Sequence, residues 1–367
     1  MSARKRIKVG LIGCGWFAQA VHLPLLRCLS GVELVAFAEP DSDRRQAASR
    51  WVPMALAHAD YRDLLNMRDL DAVIVSVPTA AHAEVAIAAM QQGKHVYLEK
   101  PIAASVAEAD QVIRAWKEAG VVGMVGFNYR FNALHESARR HIYAGRLGRL
   151  VEVRSVFSTP PRDMPAWKHH RSTGGGVLLD LASHHIDLIR FLFQQEIQAV
   201  QANIDSCRTD QDTASLDVQL IGGLKVRSYF SLCARDEDRF EIDGQMGSVT
   251  VDRYRSLSAE IAARNHQPTR VGRIAHILTS PTQVSYLWQK WRSPWHEPSY
   301  RRSLRAFVSA VQGHQAASPD LMDGYRSLEV IEAAEESART GRVVDVRSSL
   351  LSGSLGTEQK QDSGEGP

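Results

Sequence analysis

A glycine-containing turn between an apolar strand pattern and a helical pattern constrains the fold of this chain more than any other segment. The strand pattern of residues 7–12 runs into Gly13-Cys14-Gly15-Trp16-Phe17-Ala18, which has the spacing G-x-G-x-x-A. Glycines at these positions let backbone N–H groups approach a pyrophosphate, and the following helix presents its positive end to the same anion. The segment predicts a dinucleotide site. The alternative is that the glycines only allow tight strand–helix packing.

The next apolar stretch strengthens the prediction of a dinucleotide site. Residues 33–38 read as a second strand that ends in Glu39, where an acidic residue would bind the adenosine ribose hydroxyls. A carboxylate there repels a 2′-phosphate, so NAD is the predicted cofactor. Arg44 and Arg45 lie close by in the sequence, which keeps NADP as the alternative.

Strand and helix patterns continue to alternate as far as residue 125. Strands are predicted at 72–77, 95–98 and 121–125, with helices at 80–92 and 105–119 between them. This alternation predicts a parallel doubly wound sheet whose ligands bind at the carboxyl ends of the strands. The predicted cofactor-binding residues are Gly13, Gly15, Trp16, Phe17, Ala18, Glu39, Ser76, Pro78, His82, Glu99 and Lys100.

From residue 150 the pattern changes to short β-rich stretches separated by turn signals. They lie at 151–157, 199–204, 214–221, 225–232, 239–242 and 248–251. The predicted fold class is α/β: an N-terminal Rossmann dinucleotide-binding domain plus a C-terminal α+β domain with a large, mostly antiparallel sheet. We expect domains at 1–127 and 128–347, the last helices and a strand at 342–346 packing back on the first domain, and a disordered tail at 348–367.

Bulk properties exclude several partner classes. A formal charge of +3 is small for 367 residues, so nucleic-acid and membrane binding are not predicted. No apolar stretch is long enough to span a bilayer, and no signal-peptide region precedes the first strand, so a cytoplasmic location is expected. Four cysteines are scattered without the close pairs of zinc or redox motifs and are expected to be reduced thiols: Cys14, Cys28, Cys207 and Cys233.

Two segments carry the candidate chemistry. Lys100, in Glu99-Lys100-Pro101, follows a predicted strand, and three glycines at 174–176 lead to Asp180, His184 and Asp187. On a helix, the last three side chains share a face while His185 turns away. The pattern predicts an acid–base cluster, with a solvated helix face as the alternative. Adjacent histidines point to different sides, so His185 is expected to pack in the core and no metal is predicted.

Substrate contacts are expected from residues near this cluster. Candidates are Asn128 and Arg130 after the sixth strand and a basic loop at 160–173, where Trp167 could stack on a sugar ring. A merely solvated loop is the alternative. The positive charge of the loop would suit a carboxylate or phosphate. The segment with Trp288, Trp291 and Trp295 has no assigned role. Trp288 and Trp291 are read as core residues at helical spacing, or as a lip over the cleft or a partner.

With these motifs placed, the chain resembles the glucose-fructose oxidoreductase and inositol dehydrogenase family, Gfo/Idh/MocA. The matching segments are the turn at 13–18, Pro78 with His82, Glu99-Lys100-Pro101, and the glycines leading to Asp180, His184 and Asp187. The resemblance implies a two-domain enzyme that transfers a hydride between a nicotinamide cofactor and a carbon bearing a hydroxyl, usually on a sugar, cyclitol or sugar derivative. It also implies that Lys100, Asp180 and His184 are catalytic.

The chemistry of alcohol oxidation suggests a role for each of these groups. His184 is expected to accept the hydroxyl proton, since its ordinary pKa is nearest to working pH, and Lys100 to donate a hydrogen bond to the reacting oxygen. Asp180 would orient the substrate or the imidazole. The predicted substrate contacts are Asn128, Arg130, Trp167, Asp180 and His184. Asp187 is hypothesised to set the tautomer of His184, and a cis bond at Pro101 to aim Lys100.

Other functions remain open at this point. The same groups could serve an NAD-retaining hydrolase or lyase that works by oxidation and elimination, or a non-catalytic nucleotide-binding sensor. The expected partners are a small sugar-like substrate and a second copy of the chain, in a homodimer or homotetramer formed through the C-terminal sheet.

Overall fold

The N-terminal part of the chain forms a six-stranded parallel sheet. The computed structural model describes residues 6–256, 258–263 and 288–346. The strands of the first sheet are β1 (Ile7–Ile12), β2 (Val32–Ala38), β3 (Leu56–His58), β4 (Ala72–Val75), β5 (His95–Leu98) and β6 (Gly123–Val125). Their order is β3-β2-β1-β4-β5-β6, and every neighbouring pair is parallel. This is the Rossmann order, in which a ligand crevice opens between β1 and β4.

Helices cover both faces of this sheet and continue into the rest of the chain. The helix after the glycine turn begins as a π-helical turn, Ala18–His22. The helices are α1 (Leu23–Leu26), α2 (Ser42–Trp51), α3 (Tyr61–Leu65), α4 (His82–Gln91), α5 (Val106–Ala119), α6 (Ala133–Tyr143), α7 (Ser183–Phe193), α8 (Ser299–Val311) and α9 (Leu321–Thr340). The side chain of Ser105 accepts a hydrogen bond from the backbone of Glu108, which caps α5 where the sequence predicts its start.

The second sheet has eight strands and is mostly antiparallel, as predicted. Its strands are β7 (Leu150–Ser158), β8 (Ile197–Asp205), β9 (Thr213–Leu220), β10 (Lys225–Ser231), β11 (Glu237–Gly244), β12 (Gly247–Asp252), β13 (Glu260–Ala263) and β14 (Val344–Asp345). The order is β13-β12-β11-β7-β10-β9-β8-β14, with one parallel pair, β7 and β10. Buried and exposed residues alternate along β10, so one face packs on α7 and the other faces outward.

The last two helices join the two sheets. In α8, Leu304 and Phe307 belong to the same apolar cluster as Val9 of β1, and Ser303 hydrogen-bonds the hydroxyl of Tyr97 in β5. By contrast, α9 packs along β8 and also against α5 and β6. In the structure, α8 thus contacts the first sheet, while α9 contacts both sheets.

Some elements differ from the sequence-based expectations. β3 and β13 are not predicted from the sequence because each is short and weakly apolar. The strand expected at 342–346 is reduced to β14, and the expected tail at 348–367 lies outside the described residues. Within the described ranges, no helix is long and apolar enough to cross a membrane.

Candidate active site

The glycine turn has the shape that a dinucleotide requires. Gly13 has a φ of +89°, and a Cβ there would lie 2.5 Å from the carbonyl oxygen of Ser76. Only glycine fits this position, because both the backbone angle and the contact exclude a side chain. A Cβ at Gly15, in contrast, would have no atom within 4 Å. The turn therefore has a tightly packed inner side and an open outer side where a pyrophosphate can approach.

Glu39 lies at the carboxyl end of β2, directly beside this turn. Its Oε2 accepts a hydrogen bond from the backbone N–H of Cys14 at 2.7 Å, and its Oε1 accepts one from Asp41 at 3.2 Å. The carboxylate is thus fixed next to the open side of the turn. Arg45 donates to the carbonyl oxygens of Glu39 and Pro40, which ties its guanidinium to the backbone.

Two tryptophans stack at the entrance of the turn. Trp16 is 71% exposed, and its ring lies 4.8 Å from that of Trp295 at an angle of 22°. Phe17 contacts Trp295 and Tyr300 from below. Among the alternatives for the late tryptophans, a lip over the cleft fits Trp295, whereas Trp288 and Trp291 are exposed and do not belong to a core.

The other predicted cofactor residues lie at neighbouring strand ends. Ser76 follows β4 and donates its backbone N–H to Ile12, Pro78 is exposed, and Ala18 is buried under the turn. His82 is different: its ring nitrogens lie 2.6 Å and 3.0 Å from the carbonyl oxygens of Pro101 and Val77. It therefore braces the strand ends, and the expectation that it contacts the cofactor is not supported.

Lys100 follows β5 and reaches across to Asp180, as the sequence predicts. Its Nζ donates to the carbonyl oxygen of Asp180 at 2.5 Å and lies 3.3 Å from Oδ1 of the same residue. Burial lowers the pKa of Lys100, with the attraction of Asp180 acting in the opposite direction. The Lys100–Pro101 bond is cis, as hypothesised. The preceding residue, Glu99, lies close to His22, with 2.9 Å between Oε1 of Glu99 and Nε2 of the imidazole.

Asp180 is surrounded by cations. Lys168 donates to Oδ1 at 2.8 Å, and Arg162 lies 3.9 Å from Oδ2. Burial alone would raise the pKa of Asp180, but Lys168 and Lys100 outweigh it and hold the pKa far below its usual value. The Oδ2 atom is buried and has no hydrogen-bond partner. Trp167 is half-buried beside Lys168, whose Nζ lies 5.5 Å from the indole ring centre.

His184 lies one turn after Asp180 and is 8% exposed. Its ring stacks on Tyr129 with 4.3 Å between the ring centres, and its Nδ1 is buried without a partner. Burial, together with the charges of Lys100 and Arg253, lowers the pKa of His184 well below its ordinary value. The imidazole is therefore neutral at physiological pH and able to accept a proton.

Asp187 does not belong to this cluster, which corrects two expectations. Its oxygens pair with Nε and Nη2 of Arg130 at 2.8 Å and 2.5 Å, so it does not set the tautomer of His184. A π-helical turn, Leu178–Ala182, interrupts the regular spacing on which the prediction of one shared face depends. Arg130 also pairs with Asp323 through Nη1 and Nη2, and its expected contact with substrate stays a prediction. Asn128, likewise expected to contact substrate, donates its amide to Ser299.

A buried ion network behind His184 has no clear signal in the sequence. Arg253 donates to Asp238 at 2.6 Å and lies 4.5 Å above the ring of Tyr129. His185, fully buried, lies 3.1 Å from the other oxygen of Asp238, which confirms the expectation of a packing role. Tyr129 lies between Asn128 and Arg130 in the sequence, and both of these are candidate site residues. Arg253 has no such neighbour in the sequence, because it reaches the site from the end of β12.

Comparison with known proteins agrees with this architecture. Residues 7–127 match the model described as "Oxidoreductase family, NAD-binding Rossmann fold", and residues 135–250 match the "GFO/IDH/MocA C-terminal domain". The chain belongs to the Gfo/Idh/MocA oxidoreductase family. It is therefore an NAD-dependent oxidoreductase, and the resemblance stated from the motifs is confirmed.

Two relatives match more than nine tenths of the chain, and a third matches about half of it. The 1,5-anhydro-D-fructose reductase of Ensifer adhaerens is 27% identical, covering 93% of this chain and 99% of its own. A solved levoglucosan dehydrogenase in complex with NADH and levoglucosan has a TM-score of 0.82 at 26% identity, covering 94% of this chain and all of its own. The 4-carboxy-2-hydroxymuconate-6-semialdehyde dehydrogenase of Sphingobium sp. (strain NBRC 103272 / SYK-6) is 36% identical over 54% of this chain and 61% of its own.

Proposed function

We propose that this protein oxidises or reduces a secondary alcohol or ketone of a sugar-like substrate, with Lys100 and His184 as the acid–base groups. One observation carries the proposal. Two buried polar atoms without hydrogen-bond partners, Oδ2 of Asp180 and Nδ1 of His184, belong to side chains one helical turn apart, and Lys100 contacts Asp180. Unpartnered buried polar atoms are rare, and a bound substrate would supply the missing partners.

The residues divide the work according to their charge. His184 is neutral and accepts the hydroxyl proton as the carbon is oxidised, while Lys100 donates a hydrogen bond to the oxygen on which negative charge develops. Asp180 stays ionised, holds Lys100 in place and accepts a hydrogen bond from a neighbouring substrate hydroxyl. NAD, bound at the open side of the glycine turn, supplies the hydride acceptor. In the reductive direction each proton moves the opposite way.

Within the sugar-like class, an anionic group on the substrate fits the site best. Lys100, Lys168 and Arg162 face a single carboxylate, Asp180, so positive charge is in excess. Arg162 is half exposed at the outer side of this group. The relative from Sphingobium is named for a carboxylated substrate. A uronate or another carboxylated sugar is therefore the substrate class that we propose.

We also propose how the chain assembles and which cofactor it prefers. The outward face of the second sheet carries mixed charges with Tyr229 among them, and we propose that a second copy of the chain covers it. The fixed carboxylate of Glu39 favours NAD over NADP, because it would repel a 2′-phosphate.

The experiment is a screen for NADH formation over neutral sugars, their uronates, cyclitols and nucleotide sugars. We expect turnover with a uronate, a loss of about 10²- to 10⁴-fold in kcat for both His184→Ala and Lys100→Ala, and unchanged NADH binding in His184→Ala. Lys117→Ala, at an exposed position of α5, is the matched control and should keep the parent rate. Parent-like kcat in either active-site variant would refute the assigned roles.

A further inference from the structure

Two cysteines that are far apart in the sequence meet at one end of the second sheet. Cys207 lies in the loop after β8, and Cys233 follows β10. β9 runs between β8 and β10, so the residues beyond these two strand ends lie on either side of its first residues. The ligand atoms of Cys207, Cys233 and Asp212 all lie within 4.8 Å of one another. All four cysteines are free thiols, and these two are close in space although they are distant in the sequence.

The spacing of the three ligand atoms is close to that of a tetrahedral metal site. The Sγ of Cys233 lies 3.9 Å from Oδ1 of Asp212, and the hydroxyl of Thr213 lies 3.5 Å and 4.0 Å from the two sulfurs. A zinc ion with Zn–S bonds of about 2.3 Å separates its sulfur ligands by about 3.8 Å. Small side-chain rotations would bring the three atoms onto one ion.

The loop that carries these ligands is firmly organised. Asp212 accepts backbone N–H bonds from Cys207, Arg208 and Thr209 at 2.7–2.9 Å. Gln211, the preceding residue, has a φ of +51°, a conformation that non-glycine residues adopt at a cost. The loop holds the ligands near one another before any ion binds.

The chemistry of the three ligands suits a cation. Two thiolates and a carboxylate are each negative when deprotonated, so a divalent cation would neutralise them on binding. Sulfur ligands favour a thiophilic ion such as Zn²⁺.

We propose that Cys207, Cys233 and Asp212 bind a thiophilic divalent cation of the Zn²⁺ or Cd²⁺ class, with water in the fourth position. Each thiol releases its proton to solvent as its sulfur–metal bond forms, and no electron is transferred. The site is separate from the acid–base cluster and does not depend on the proposed function.

The position of the site connects it to the substrate loop. The carbonyl oxygen of Gln211 accepts the backbone N–H of Val177, and the carboxylate of Asp210 accepts that of Arg171. These bonds fasten the loop after β8 to the glycine segment before Asp180 and to the loop that carries Lys168. A bound cation would stiffen this support.

The test is titration of the full, reduced and chelator-treated chain with Co²⁺, a spectroscopic substitute for Zn²⁺. We expect one equivalent to produce the thiolate-to-cobalt charge-transfer band, and one equivalent of Zn²⁺ to remove it. Cys207→Ser and Cys233→Ser should abolish the band, and Asp212→Asn should weaken binding at least about tenfold. Cys28→Ser is the matched control, since Cys28 is exposed and away from the cluster, and it should bind like the parent.

Two results would overturn the proposal. One is the absence of a charge-transfer band in the parent at stoichiometric Co²⁺, or an equal band in the Cys207→Ser/Cys233→Ser double variant. The other is a disulfide between the two cysteines, detected as a mass loss of two hydrogens that a thiol reductant reverses. Far-UV circular dichroism of each variant in chelator establishes that a lost band does not reflect unfolding.

Discussion

Buried histidines control how the stability of this protein responds to pH. His135 is fully buried, and burial lowers its pKa to about 4. The unfolded chain binds this proton at pH values below about 6.5, whereas the native state does not bind it until about pH 4. Stability attributable to this group is therefore intact at neutral pH and lost as the pH falls from about 6.5 to 4.

We expect this single histidine to account for roughly 3 kcal/mol of the loss of unfolding free energy across that range. His135→Gln should make the curve of unfolding free energy against pH flatter between pH 7 and 4, as measured by urea denaturation. His314→Gln, at an exposed position, should leave the slope unchanged. An equal slope in parent and His135→Gln would contradict the prediction.

The geometry of Arg130 and Asp187 is that of a buried ion pair that stabilises the fold. Removing the guanidinium leaves the buried carboxylate of Asp187 with the more distant Arg190, 3.9 Å away, and we expect this to cost about 3 kcal/mol. Arg130→Gln should lower the free energy of unfolding by that amount. Arg62→Gln, which breaks an exposed pair with Glu84, should cost less than about 1 kcal/mol. Unchanged stability with a raised KM in Arg130→Gln would instead restore the substrate contact expected from the sequence.

Single residues differ in how far the sequence reveals their neighbours. The sequence allows Lys100 and Asp180 to be paired. Lys100 follows a parallel strand, and Asp180 lies at the start of a helix that the glycine segment directs towards the end of that strand. The pairing of Asp187 with Arg130 could not be foreseen, since it depends on how the segment Asn128–Phe131 packs against α7. Lys168 and Arg253 reach the site from a loop and from a distant strand end, and their positions depend on tertiary packing alone.

At the scale of elements, the two glycines of the cofactor turn have separable roles. Gly13→Ala should lower stability, because its Cβ would meet the backbone oxygen of Ser76 at a φ of +89°. Gly15→Ala should fold with parent-like stability and bind NADH more weakly, because its Cβ occupies open space on the cofactor side. Thermal unfolding and NADH fluorescence titration measure the two effects. Parent-like NADH affinity in Gly15→Ala would show that the pyrophosphate lies elsewhere.

Elements with strong local signals are the ones that sequence reasoning identifies correctly. The start of α5 follows from the cap Ser105, and its end from Gly120, which has a φ of +63°. The strands of the second sheet follow from alternating apolar residues and turn signals. β3 and β13 are missed because their backbone pairing, and not a hydrophobic pattern, holds them in the sheets.

At the scale of the whole molecule, we expect a homo-oligomer formed through the outward face of the second sheet. This face presents ion pairs such as Arg227 with Asp217, together with Tyr229, which is 40% exposed. Arg227→Glu/Tyr229→Glu should shift the mass in sedimentation analysis towards the monomer. Met54→Glu, at a 93% exposed position in the first sheet's half, is the control. A monomeric parent at micromolar concentration would contradict the prediction.

Because α8 completes the core of the first sheet and α9 lies on both sheets, the two halves of this enzyme are not separable modules along the chain. We propose a boundary near residue 127, yet a fragment ending there lacks the helix that covers Val9 and Tyr97. A chimera that takes its cofactor half from a relative must also take that relative's last helices. In such a chimera, the N-terminal half and the C-terminal helices of the chain therefore have to come from the same protein.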